Sequence, residues 1–370
     1  MTDADPQMTT QANAHTVEQD AAQAAATARA ARGLSPNQRA WARFKRNRLG
    51  YASLWLFLAL LLLATLAELV SNDKPFVARV EGQLIFPIVS NPSEISLGGD
   101  FATPTDWKDP FTVALLAKPD NWAIGAINPH SATSIDYFTK RPPPAGPSAK
   151  NWLGTDDKGR DMLARLMYGF RVSIWFAIAL TVTGTFIGIV MGALMGYFGG
   201  KLDLTLQRVI EVWGAVPELY LLIIFASIFE PSLALLLLLL SLWGWMGLSD
   251  YVRAEFLRNR SLEFVKAARA LGLSNAQIIR RHVLPNSLTP VITFLPFRMS
   301  GAILALTSLD FLGLGVPASV PSLGELLQQG KANLDAWWII VPTFVLLTVT
   351  MLLLTFIGDA LRDAFDTRKS

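Results

Sequence analysis

No cysteine occurs anywhere in the 370 residues, so a thiol nucleophile, a thiolate metal site and a disulfide scaffold are all excluded. Histidine is nearly as scarce. Of the three, His130 falls outside the membrane and His15 and His282 inside by the charge argument below, so no three-histidine metal site can assemble. No Ser-His-Asp constellation is apparent, which disfavours an intramembrane hydrolase. Charged residues make up only 16% and the net charge is +3, which gives no broad nucleic-acid footprint. Gly and Pro follow no period, so a collagen-like fibre is also out.

What the chain does have is apolar surface. Hydrophobic residues reach 52% and the mean hydropathy is +0.36, more than a water-soluble core can hide, although the length alone would suit two or three soluble domains. The implied solvent is a bilayer. A run of about 20 apolar residues crosses a hydrocarbon core of about 30 Å as a helix that satisfies its own backbone. Six such runs are predicted: Tyr51–Val70, Val172–Tyr197, Leu206–Phe229, Ser232–Leu248, Leu288–Leu309 and Trp337–Ile357. The third contains Glu211, Pro217 and Glu218 and reads as a kinked helix shielded by its neighbours. The expected fold class is an all-α membrane protein with six transmembrane helices.

Arg39, Arg43, Lys45, Arg46 and Arg48 precede the first span with no acid among residues 39–48, which holds that end in the cytoplasm. Alternation then places Lys201, Arg208 and the loop carrying Arg253, Arg258, Arg260, Lys266, Arg269, Arg280 and Arg281 inside, with the tail bearing Arg362, Arg368 and Lys369. Both termini are expected to be cytoplasmic. Residues 1–36 read as a mobile arm, 37–70 as basic flank and first span, 71–151 as an outer insert, 152–358 as the core and 359–370 as a tail. The first span has no small-residue cleavage pattern and reads as an anchor rather than a signal peptide.

Gly184, Gly188, Gly192, Gly196 and Gly200 recur at every fourth position, a smooth stripe suited to helix packing, with a pore wall as the alternative. Gly199-Gly200-Lys201-Leu202 lacks the first glycine and the final Ser or Thr of a phosphate loop, so no ATP or Mg site is expected in this chain. In Asp156-Asp157-Lys158-Gly159-Arg160-Asp161, a lysine stands at a ligand position, which argues against calcium. Glu218 and Arg298 fall at similar depths, roughly 20 and 15 Å from the inner side at about 1.5 Å per residue. They are candidates for the translocation path, as a structural pair, as contacts for peptide termini, or each facing water.

The inner loop, residues 250–287, is the most informative stretch. Ser261 is expected to cap a short helix with Glu263 in its first turn, and Gly272 to end it; Ser274 with Gln277 forms a capping box for a second helix that Pro285 stops. Ala267 and Ala268 leave a shallow surface flanked by Lys266 and Arg269. The pair reads either as a partner-docking element or as an amphipathic unit lying on lipid headgroups.

Lys266-Ala267-Ala268, Gly272 and His282-Val283-Leu284-Pro285 resemble the EAA loop of ABC importer permeases, with Lys266 where the motif has Glu. Leu153-Gly154-Thr155-Asp156 with Gly159-Arg160-Asp161, and Gly196-Tyr197-Phe198-Gly199-Gly200, resemble the dipeptide and oligopeptide permease family. Within it, Ser308-Leu309-Asp310-Phe311-Leu312-Gly313, Pro321-Ser322-Leu323-Gly324-Glu325-Leu326-Leu327 and the long insert are most similar to Yej-type importers of microcin C and peptides. The resemblance implies the type I importer permease architecture, with a periplasmic insert after the first helix and a cytoplasmic coupling pair. It also implies a second homologous permease, ABC ATPase subunits that carry the ATP and Mg, and a periplasmic peptide-binding protein. Phe264, Lys266, Ala267, Ala268, Arg269, Leu271, Gly272 and Pro285 would then be the ATPase-coupling residues. Dipeptides or nickel as cargo, and a non-ABC secondary transporter, are the alternatives.

Overall fold

Ser35 and Gln38 cap each other reciprocally, and helix α1, Pro36–Arg46, starts there. The computed structural model describes residues 35–137 and 141–366; the arm through residue 34, with His15, and Arg368 and Lys369 lie outside the described residues. Phe44 of α1 is buried against Ala360 and Ala364, and Arg43 Nη1 donates to the Asp366 carbonyl at 3.0 Å. The basic flank and the far end of the chain therefore lie together.

Helix α2, Arg48–Thr65, follows directly and breaks at Leu66 before a single turn, α3, Ala67–Val70. The central element is α5, Met162–Phe198, whose 37 residues make a rod of about 55 Å. It starts ten residues before the expected Val172. Asp161 caps it by accepting from the Ala164 amide, and Arg165 and Arg171 within it are paired with Glu325 and Glu68. Charges that break an apolar run are thus neutralised from outside the helix.

The third expected span is two helices, α6 (Gly200–Gly214) and α7 (Glu218–Ile228), bent by 64° across Ala215-Val216-Pro217. The kink is present, but the shielding is not. Val212 is 72% exposed and Tyr220 68%, because within this chain little packs over α6 and α7. The fourth span is also interrupted: α8, Leu233–Ser241, turns at 242–245 into α9, Met246–Asn259. Short helical pieces α10 (Glu263–Ala270), α11 (Asn275–Ile278) and α12 (Leu284–Ser287) lead to α13, Thr289–Phe311. Helix α14, Leu323–Ala332, and the last span α15, Trp337–Phe365, complete the bundle. The main core joins α2, α5, α8, α13 and α15 through Phe57, Phe170, Ile174, Leu239, Ile303 and Leu354.

Four glycines explain how α9 lies along α5. A Cβ at Gly192 would stand 2.5 Å from the Ser249 carbonyl, and one at Gly196 2.6 Å from that of Arg253; Gly184 and Gly188 abut Gly244 and Trp245. Backbone of the following segment covers all four. Gly200 is not part of this surface. Helix α5 ends at Gly199, with φ +65, and a Cβ at Gly200 would meet nothing within 4 Å. The four-residue spacing carries past the point where the helix stops.

The insert between Ser71 and Asn151 is folded around a three-stranded antiparallel sheet in the order β2 (Gln83–Ile85), β1 (Val77–Val80), β3 (Trp122–Ile124), with helix α4, Pro110–Leu116, between β2 and β3 in the chain. Ala78 pairs with Ile85 on one side and Ala123 on the other. This sheet is the exception to an otherwise helical fold. Strands of three and four residues are too short to leave an alternation in the sequence.

Candidate functional site

The inner loop is a module packed on the end of α5. Val265 and Ala268 of α10 are buried with Phe256, Ile278 and Val283. Tyr197, at the end of α5, ties the pieces together: its hydroxyl donates to Asn275 Oδ1 at 2.8 Å, and its carbonyl accepts from Arg260 Nη1 at 3.0 Å. Asn259 Nδ2 donates to Ser287 Oγ at 2.8 Å, pinning the exit of α9 to α12. Gly199 belongs to the same joint, since a Cβ there would fall 2.6 Å from Arg260 Nη1. The Gly196-Tyr197-Phe198-Gly199-Gly200 stretch is thus the seat of the loop, a role that a glycine count does not reveal.

Phe264, Lys266, Ala267, Arg269, Leu271 and Gly272 are exposed, with Leu271 at 80%. Ala268 is not among them: it faces the module's own core, so the outward surface is Ala267 alone flanked by Phe264 and Leu271. Successive residues on a helix are rotated by about 100°, which sends adjacent alanines to different faces. Lys266 pairs with Glu263 at 2.8 Å on the surface. Gly272 has φ +81, the left-handed conformation expected of a helix-ending glycine. Ser261 does not cap α10; its hydroxyl donates to the Arg258 carbonyl, and Leu262 holds the cap position without a side-chain bond. Pro285 does not end the second helix either. Helix α11 passes into a π-turn, Ile279–Val283, and Pro285 lies in the first turn of α12, where its missing N–H costs nothing.

Glu218 and Arg298 line one cavity of about 260 Å³, with Leu180, Thr181, Leu240, Trp243, Gly244, Gly301, Ala302 and Ala305. They do not form a salt bridge. Arg298 Nη2 donates instead to the Gly244 carbonyl at 2.8 Å, a group freed by the turn between α8 and α9. A Cβ at Gly184 would lie 2.7 Å from the same nitrogen, so this glycine makes the seat of the guanidinium.

A second polar cluster, missed in the sequence, joins the start of α5 to α14. Asp156, fully buried, accepts from the amides of Lys158 and Arg160 at 2.9 and 2.8 Å and from Arg160 Nε at 2.6 Å. Arg160 Nη2 donates to Glu325 Oε1 at 3.2 Å, and the fully buried Arg165 pairs with the other oxygen of Glu325. Burial alone would pull the Arg160 guanidinium down, but Asp156 and Glu325 hold it above its usual value. Ser322 donates to Asp310, closing the loop that leads into α14. The Gly-Thr-Asp and Gly-Arg-Asp pieces were the available signal, since Gly154 and Gly159 both have positive φ and hold Asp156 inward. Arginine saturates the carboxylate that a cation would need, and no group able to hold a metal ion occurs among the described residues.

Residues 188–370 match the family described as "Binding-protein-dependent transport system inner membrane component", and residues 35–83 match "N-terminal TM domain of oligopeptide transport permease C". The chain belongs to the inner-membrane permeases of binding-protein-dependent ABC transporters, which are transport components rather than catalysts. Within that class it is 48% identical over 338 residues to the inner membrane ABC transporter permease protein YejE of Escherichia coli (strain K12), covering 91% of this chain and 99% of that one. It is 43% identical to the peptidoglycan transport system permease protein YejE of Agrobacterium fabrum over 90% of this chain and 93% of the relative. The oligopeptide transport system permease protein OppC of Haemophilus influenzae is 36% identical over 59% of this chain and 70% of its own length.

Proposed function

We propose that this chain is half of the translocation path of an ATP-driven importer for peptides or modified peptides. The cargo class is supported by relatives whose names refer to peptidoglycan, dipeptide and oligopeptide transport. The observation that carries the mechanism is the exposed face of α10 on a base locked to α5 through Tyr197. Phe264, Ala267, Leu271 and Gly272 enter a cleft on an ATPase partner, which holds the ATP and Mg, and Arg269 offers an ion-pair contact. Because the module is packed to the end of a 37-residue rod, a push on α10 turns the rod as one body instead of being absorbed locally.

A second permease covers the apolar faces of α6 and α7 that this chain leaves bare. Both ends and the α10 module lie on the cytoplasmic side, in keeping with the basic flank and with Arg43 reaching Asp366. The insert then faces the periplasm and meets a peptide-delivering binding protein. An impermeant maleimide added to intact spheroplasts will label Ser148→Cys in this chain, which has no cysteine of its own; labelling only after lysis inverts the orientation. The coupling assignment is tested by Ala267→Glu. Membrane abundance is expected to stay normal while peptide uptake falls by about tenfold or more, because a bulky acid unseats α10 from its groove. Uptake and ATPase stimulation at the parental rate would remove the assignment.

A further inference from the structure

Two helix interruptions in the bundle open onto the same cavity. Glu218 is the first residue of α7, directly after the 64° bend, and Trp243 and Gly244 lie in the turn between α8 and α9. Thr181 comes from α5 and Arg298 from α13, so the lining is drawn from four parts of the chain. Three of these residues carry a buried polar atom with no hydrogen-bond partner in the protein: Thr181 Oγ1, Trp243 Nε1 and Arg298 Nε. Among the described residues the Glu218 carboxylate has neither a hydrogen bond nor a salt bridge. Thr181 is only 5% exposed, and it lines the cavity.

Polar groups shut away from water are normally paired, and here the unpaired ones belong to residues that line one cavity. Their character is lopsided. A guanidinium N–H, an indole N–H and a hydroxyl are donors around a full positive charge, while the one carboxylate stands on a different element. Such a set suits a ligand with an anionic oxygen group at one place and an N–H group at another. A lipid tail offers neither, and a metal cation would be repelled by Arg298. The apolar groove between α5 and α8, lined by Val172, Trp175, Phe176, Leu233 and Leu237, shows what a lipid-suited surface on this chain looks like.

We propose that this cavity is a passage site for peptide, in which Arg298, Trp243 and Thr181 receive the C-terminal carboxylate and Glu218 accepts an N–H of the same chain. The proposal rests on the peptide reading above and deepens it. The aromatic stack of Trp243 on Trp213, with centroids 5.3 Å apart, holds the indole at the cavity edge, and the seat made by Gly184 holds the guanidinium. Recognition of the main-chain terminus, not of side chains, lets one permease pass peptides of many sequences.

The test uses the complete importer in proteoliposomes with its delivery protein saturated in turn by an alanine tripeptide and by its C-terminal amide. The parental importer is expected to move both, the free acid faster. Arg298→Gln should slow the acid by about tenfold and leave the amide within about twofold, the pattern of a site built for a group the amide lacks. Thr181→Val keeps shape and removes only a donor, Trp243→Phe removes the indole N–H together with part of the ring, and each should slow the acid by about threefold with copurification of the ATPase unchanged. These two decide the matter if Arg298→Gln does not assemble. Equal slowing of acid and amide, or no change in either, overturns the inference while leaving the peptide function standing. A parental importer that moves neither peptide overturns the function itself.

Discussion

Asp156, Arg160, Arg165 and Glu325 each face an opposite charge, whereas Glu218 and Arg298 share a cavity without touching. Both groups are formed by charges that an apolar bundle would rather exclude, yet they are handled in opposite ways. At the first, four charges from α5, its preceding loop and α14 neutralise one another, and the buried Arg165 is affordable only because Glu325 is there. At the second, the guanidinium leans on a backbone carbonyl and keeps donors in hand. A saturated cluster holds two elements together; an unsaturated one is ready for a third party.

The largest expected effect breaks the first cluster. Glu325→Leu strands Arg165, whose remaining acid is Asp156 at 3.8 Å, and should cost about 3–5 kcal/mol. Thermal unfolding in detergent reads this, alongside reduced membrane abundance. Glu218→Gln in the second cluster should change stability by less than about 0.5 kcal/mol. If the two substitutions cost the same, the contrast between saturated and unsaturated charge is wrong.

Glycines sharpen the comparison at the next level. Gly196→Ala drives a Cβ to within 2.5 Å of Phe256 Cβ and should cost about 1–3 kcal/mol. Gly247→Ala in α9 meets nothing within 4 Å and should stabilise by about 0.5–1 kcal/mol through helix propensity. Opposite signs from one substitution type would separate the packed face of α9 from its bare one in a single melting experiment.

A double-mutant cycle on Glu218→Gln and Arg298→Gln should give a stability coupling below about 0.5 kcal/mol, since no ion pair joins them. A coupling of 2 kcal/mol or so would mean that the two charges meet in the folded importer.

The smallest effect concerns the insert. Lys108 Nζ lies 2.9 Å from His130 Nδ1, and burial first, then Lys108, pulls the imidazole below its ordinary 6.5. A depressed histidine means that the unfolded chain binds the proton first. The stability held by neutral His130 is therefore complete above pH 6.5 and drains as the pH falls below it. The protection factors of the insert's amides, each exchange rate set against its intrinsic rate at the same pH, should fall as the pH drops from about 7.5 to about 5.5, and His130→Gln should flatten that slope.

Much of this was legible in advance where chemistry is local. The apolar runs located the spans, the Ser274 and Gln277 capping box formed as expected, and Gly272 took its left-handed turn. Ends and faces were less legible. Arg165 hid the first turns of α5 because its main partner, Glu325, is 160 residues away. Ala267 and Ala268 look equivalent until Val265, Ile278 and Val283 enclose the second. Depth along two spans brought Glu218 and Arg298 to one cavity but not to one another, since Gly244 exposes a carbonyl that no hydropathy profile marks.

By itself the sequence determined that this chain lives in a membrane, how often its apolar runs can cross it, and where the Gly272 turn and the Ser274–Gln277 cap of the inner loop fall. Those features follow from hydrocarbon thickness and from hydrogen bonds between residues a few positions apart. Only the tertiary structure decided which charges are saturated and which are left to work. That depends on whether a buried polar group finds its partner on another element, and the partners of Arg165 and Arg298 come from α14 and from the broken fourth span.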